Sequence, residues 1–148
     1  MSDPTDDAEV AARLRRVILK LSRQLNASAT SEGLTPAQAS ALGEIARSGP
    51  LGLAALTRTE HLNPTMTSRV VGHLDALGLI RRAPHPDDLR AATVEATAEG
   101  KAVHERIRAQ RAAVVAECLR AMPGADRDAV VGALAGLETL AAELTGRA

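Results

Sequence analysis

Apolar positions along this chain follow a helical period nearly throughout, with one short interval of strand period between residues 79 and 96. From about Ala8 to Ser28, Val10, Leu14, Val17, Ile18, Leu21 and Leu25 recur every three or four residues, with Arg13, Arg16, Lys20 and Arg23 between them. That spacing predicts an amphipathic helix with one buried stripe. SATSEG at 28–33 reads as a loop. A second helix opens at Thr35, whose hydroxyl can accept an amide hydrogen bond three residues on; Pro36 suits the first helical position and Gln38 closes a capping box. It runs through Leu42, Ile45 and Ala46 and is stopped by Gly49 and Pro50. Leu51 to Leu53 predicts a brief strand. A short helix without a strong side-chain cap then carries Ala55, Leu56 and Thr59 towards Leu62. Asn63 and Pro64 are the next cap and first-turn pair, and two helices across so tight a break predict a helix-turn-helix.

On the second of these helices Met66, Val70, Leu74 and Leu77 are expected to share a core face. Thr65, Ser68, Arg69 and Gly72 follow the i, i+3, i+4, i+7 rule on another. A helix that enters a major groove needs short side chains for close approach, hydroxyls for phosphates and base edges, and arginine for guanine or phosphate. A small, polar surface helix would show the same face, so the flanking element decides. After Gly78, Leu79 to Ala83 reads as a strand, Pro84 to Asp88 as turn chemistry, and Ala91 to Ala96 as a returning strand. A hairpin directly behind a helix-turn-helix is a wing. Its tip holds Arg90, suited to a minor groove, and Asp88 is placed to hold that arginine or the turn. Arg81 and Arg82 alternate faces, so at most one is expected to face DNA.

From Thr97 a long helix runs through Val103, Ile107, Val114, Val115, Cys118 and Leu119 to about Met122, where Pro123 and Gly124 end it. The last helix, from about Asp126, sets Val130, Leu134, Leu137, Ala141 and Leu144 at heptad-like spacing. One helix pair cannot cover that stripe, so a partner chain is expected against Val130, Leu134, Leu137 and Leu144, joined by Val10 and Leu14 of the first helix. The fold class is mainly α (α+β): a winged helix-turn-helix at 34–96, with dimerisation helices at 8–32 and 97–148. Together they make a single domain over 8–148, behind a frayed acidic tail at 1–7.

Composition narrows the function. At 148 residues with 45% hydrophobic content and no Phe, Trp or Tyr, the core must be aliphatic, and stacking platforms for single-stranded nucleic acid are missing. Net charge is zero, but four acids (Asp3, Asp6, Asp7, Glu9) precede the first basic residue, leaving fourteen acids against eighteen bases thereafter. Affinity for DNA therefore needs a local basic face and two copies of it. Cys118 is the sole cysteine and is expected to be buried and structural rather than a redox trigger. His61, His73, His85 and His104 lie singly, with no HExxH, no Ser/His/Asp grouping and no phosphate loop. No catalytic site, metal site or cofactor is expected. No apolar run approaches the ~20 residues of a membrane span, so a cytoplasmic protein without a membrane partner is expected.

The helix order, Ser68-Arg69, LDALGLIRR at 74–82, the Asp88-x-Arg90 step and TAEG at 97–100 resemble the MarR-type winged-helix regulators over nearly the whole chain from residue 8. The resemblance implies a homodimeric repressor on a pseudo-palindromic double-stranded operator, released by a small phenolic or drug-like effector. It places DNA contacts at Thr65, Thr67, Ser68 and Arg69, with His73 one turn further on, and a wing contact at Arg90. Two lobes about one helical turn apart, ~34–36 Å, would engage the two half-sites. Leu89 stands where the family is commonly basic, Ala96 where it carries a larger apolar residue, and Glu60 where it is usually apolar. The competing reading is a winged-helix protein-interaction module, or a DNA-binding module without effector control.

Overall fold

The computed structural model describes residues 4 to 84, 87 and 91 to 147. Along the chain run α1 (Pro4–Ser31), α2 (Pro36–Ser48), β1 (Leu51–Gly52), α3 (Leu53–Thr59), α4 (Pro64–Ala76), β2 (Ile80–Pro84), β3 (Ala92–Ala96), α5 (Ala98–Ala121) and α6 (Gly124–Gly146). This is the mainly helical winged architecture expected from the pattern.

Helix starts are set by local hydrogen bonds. The Gln38 amide donates to Thr35 Oγ1 at 3.3 Å while the Thr35 amide donates to Gln38 Oε1 at 2.9 Å, so both arms of the capping box form. Asn63 Oδ1 accepts the Met66 amide at 2.8 Å at the head of α4. Thr97 Oγ1 accepts the Gly100 amide at 3.0 Å and donates to the Gly78 carbonyl at 2.7 Å, tying the start of α5 to the end of α4. α3 has no side-chain cap.

Three helices end alike. After α1, α3 and α4 the chain turns through Gly33, His61 and Gly78, at φ 73°, 50° and 72°. Each turn residue's amide, and that of the leucine after it (Leu34, Leu62, Leu79), reaches back to a carbonyl of the final helical turn at 2.9–3.2 Å. Each leucine then packs into or against the core, the apolar contact that accompanies this closure. It explains why SATS at 28–31 is helix and not the expected loop: the true signal is Gly33-Leu34, and Ala29 is fully buried. At the other end, helix begins at Pro4 within the stretch expected as a tail. A proline suits the first turn, and Asp6 and Asp7 complement the positive end of the helix dipole.

The sheet order is β1-β3-β2, all antiparallel, with Leu51 opposite Val94 and the hairpin pairing Ile80 with Ala96 and Arg82 with Val94. Pro84 sits on the edge strand, where no ladder amide is demanded. Leu42 and Ile45 of α2, Leu56 of α3, Val70, Val71 and Leu74 of α4, Ile80 and Val94 of the sheet, and Val103 and Ile107 of α5 form one aliphatic core. Gly100 is fixed by contact: a Cβ there would collide with the Leu79 carbonyl.

Contacts divide the chain into two compact units, one ending at Arg111 and one beginning at Ala112. In the first, Arg106 holds Glu32 through two hydrogen bonds of 3.1 and 3.2 Å, and Arg111 donates to the Leu25 carbonyl at 3.2 Å, joining α1 to the first half of α5. In the second, α6 buries none of its residues. Cys118 is exposed, contrary to expectation, because apolar neighbours on a helix give burial only when another element covers them. α6 also corrects the expectation about apolar runs: by length and composition it could cross a membrane. Glu138 and Glu143 in its apolar half make that costly.

Candidate nucleic-acid interface

The orientation of α4 decides what a ligand would meet. Its buried residues are Thr67, Val70, Val71 and Leu74. Of the expected core face, Val70 and Leu74 are in place, but Met66 and Leu77 are 38% and 48% exposed. The helix is turned so that Thr67, expected to touch DNA, points inward and is only 2% exposed. Its hydroxyl lies 2.8 Å from Thr57 Oγ1 and 3.1 Å from the Asn63 carbonyl, and Thr57 Oγ1 lies 2.8 Å from the Leu53 carbonyl. Two hydroxyl protons can make only two of these three contacts at a time, so one threonine donates to a carbonyl and the other donates to it. Burial of a hydroxyl is tolerated when it is so bonded. Thr67 therefore locks the recognition helix to α3 rather than reading a base.

With that stripe inward, Thr65, Ser68 and Arg69 are exposed and Gly72 is half-buried along the opposite ridge, and His73 is exposed on its flank. These side chains share one surface, as expected. Asp75, on the Ser68 side, lies 3.7 Å from Arg82 of β2.

Charge in the lobe is mostly spent internally. Residues 34–96 hold six arginines against six carboxylates. Arg47 bonds Glu44 at 3.1 Å, Arg81 bonds Glu95 across the hairpin, and Arg82 pairs with Asp75. Neither Arg81 nor Arg82 is thus left as a free cation. Among the described residues of the lobe, Arg58 and Arg69 are the arginines without a partner. Arg90, Asp88 and Leu89, with His85 and Pro86 of the expected turn, lie outside the described residues. Arg58 was not singled out by the sequence; its signal was position, in the last turn of α3, beside the helix expected to read DNA.

His104 of α5 lies over Gly43 of α2, with its ring atoms 3.1 to 3.2 Å from where a Cβ would stand. Burial lowers its pKa below the ordinary 6.5; the neighbouring Arg47, then Arg108 and Arg111, push the same way and Glu105 opposes them. This is packing between helices, not catalysis. Among the described residues no three metal-ligating side chains come together.

A recognition helix seated on a buried stripe, with a hairpin directly behind it, defines a winged helix-turn-helix protein. A sequence model described as "MarR family" matches residues 32–91. An HTH-type transcriptional regulator of Mycobacterium bovis is 33% identical over 122 residues, covering 82% of this chain and 85% of that protein. The structure of a MarR family protein from Bacillus stearothermophilus superposes with a TM-score of 0.83 at 21% identity, covering 98% of this chain and 99% of that one. A MepR mutant of S. aureus bound to an oligodeoxyribonucleotide matches at 14% identity with a TM-score of 0.67, covering 91% and 97%. The chain belongs to the MarR family. It is a DNA-binding transcriptional regulator by class, not an enzyme.

Proposed function

We propose that two copies of this chain form a sequence-specific repressor on a pseudo-palindromic double-stranded operator. The observation that carries this reading is the ridge of α4: Thr65, Ser68 and Arg69 exposed above a buried stripe, with Arg69 unpaired among the described residues. The thin ridge lets the helix approach base edges, and a guanidinium can bond guanine through two hydrogen bonds. His73 flanks the contact, and Arg90, steadied by Asp88, is assigned to the minor groove. A wing of this kind adds backbone and minor-groove contacts that fix the register of the recognition helix.

A second copy is called for by the exposed apolar residues of α1 and α6. Val10, Val130, Leu134, Leu137 and Leu144 are all more than a third exposed, and Leu14 is half-buried. Burying such stripes is the ordinary driving force for permanent association. A cytoplasmic location follows for a regulator of chromosomal DNA. Effector-driven release completes the proposal. A cleft of about 330 Å³ beside Ile18, Leu21, Leu25, Asn26 and Arg111 combines apolar walls with one guanidinium, which suits a small phenolic or drug-like acid.

Operators selected from random or genomic fragments provide the test. Arg69→Ala is expected to weaken binding by about 1–3 kcal/mol per site and to relax the sequence preference. If Arg69→Ala and Arg90→Ala both bind like the wild type, the docking is wrong. The pairing of Arg81 and Arg82 with carboxylates favours the rival protein-interaction module; that reading requires no retention of duplex DNA even at low salt.

A further inference from the structure

We propose that Arg58 is a second DNA anchor on the helix-turn-helix: it clamps a backbone phosphate beside the recognition helix, and the cleft it lines seats the adjoining sugar. This rests on the DNA-binding reading above and assigns a contact that neither the pattern of α4 nor the wing supplies.

Four observations converge. A cleft of about 440 Å³ opens between α3 and α4, with Leu53, Ala54 and Pro64 as apolar lining and Arg58 and Ser68 as polar lining. Ser68 also belongs to the exposed ridge of α4, so whatever occupies the cleft touches the same face as the duplex. Arg58 is exposed and has no acidic partner among the described residues, in contrast to Arg47, Arg81 and Arg82.

Nor is Arg58 needed to close α3. An arginine in a last turn often bonds the terminal carbonyls. Here the His61 amide already takes the Arg58 carbonyl at 3.2 Å and the Leu62 amide takes that of Thr57 at 3.0 Å. The guanidinium is left for something outside the chain. Lastly, the spacing of α3 and α4 beside the cleft is fixed, because Thr57 and Thr67, which also line it, bond to each other between the helices at 2.8 Å. Their two hydroxyl protons are committed to this bridge and to one backbone carbonyl, which leaves Arg58 and Ser68 as the polar groups free to bond an occupant. One cation, one hydroxyl and an apolar floor match a phosphodiester and its sugar. Arg58 stands on α3, beside and not on the helix offered to the base edges, where a contact to the backbone fixes register.

A phosphate clamp and a base contact differ in salt dependence. Removing one phosphate clamp reduces the slope of log K against log salt by about 0.9, without regard to sequence. Binding of the full-length wild type, Arg58→Ala, Arg58→Lys and Arg69→Ala to operator and to scrambled duplex should be followed across a salt series, with thermal unfolding as the check on folding. Arg58→Ala is expected to weaken both duplexes by the same factor and to lower the slope by about one per protomer. Arg58→Lys should restore most of the slope, since the clamp needs charge more than a planar fork. An unchanged slope for Arg58→Ala overturns the assignment, as does weakening confined to the operator. If wild type retains no duplex at low salt, the DNA-binding reading itself has failed. If wild type binds and Arg69→Ala loses discrimination while Arg58→Ala leaves both affinity and slope unchanged, only the Arg58 clamp has failed.

Discussion

The lobe around the core and the helices of residues 112–147 are built from the same aliphatic alphabet, yet they end in opposite states. Every core side chain falls between Ala29 and Ile107, while α6 buries nothing despite Val130, Val131, Leu134, Leu137, Leu140 and Leu144. In the core, apolar side chains of α2, α3, α4 and α5, with Ala29 of α1, and of the sheet meet from different directions. Two helices by themselves bring no third side, and their outer faces stay in solvent. Apolar periodicity thus states that a face wants cover; it does not state who supplies it.

Mutation can separate the two cases. The largest effect is expected from Leu74→Ala, which empties a fully buried site and should cost about 2–5 kcal/mol in denaturant unfolding. Leu134→Asp should leave the lobe folded but shift the species in sedimentation to a monomer and abolish the concentration dependence of Tm. A dimer that survives it would move the partner-covered face elsewhere. Next in size, Gly100→Ala forces α5 off the Leu79 carbonyl and should cost roughly 1–3 kcal/mol by overpacking. A Gly132→Ala control on α6, where a Cβ meets nothing within 4 Å, should be neutral or slightly stabilising.

The smallest effect concerns pH. His104 holds its proton more weakly in the fold than in the unfolded chain, where its value is near 6.5. Above that pH both states are neutral and nothing changes. As pH falls through 6.5 towards the lower folded value, the unfolded state takes up the proton first and stability declines. His104→Gln should flatten that decline in a series of unfolding curves taken from pH 7.5 to 5.5. A wild-type curve equally flat would mean that the packing of His104 on Gly43 carries no such linkage.

Legibility followed the range of the interaction. The caps at Thr35, Asn63 and Thr97 could be read because acceptor and amide are three residues apart or fewer. The wing strands could be read because turn chemistry and alternation are local too. The outer ridge of Thr65, Ser68 and Arg69 was legible for the same reason. The buried side of α4 was not: spacing alone admits both Met66-Val70-Leu74-Leu77 and Thr67-Val70-Val71-Leu74. Hydrophobicity favours the first, and only the Thr57 hydroxyl on a neighbouring helix makes burial of Thr67 acceptable.

The sequence by itself therefore determined the order of the elements, where most helices start, and which side chains a recognition helix would offer. Tertiary structure alone decided the rotation of α4, the pairing of Arg81 and Arg82 with Glu95 and Asp75, the exposure of Cys118, and the solitary state of Arg58. The physical reason is one of distance along the chain. A cap or a turn is settled by groups within one helical turn, whereas burial and charge neutralisation are settled by groups that meet only once the chain has folded.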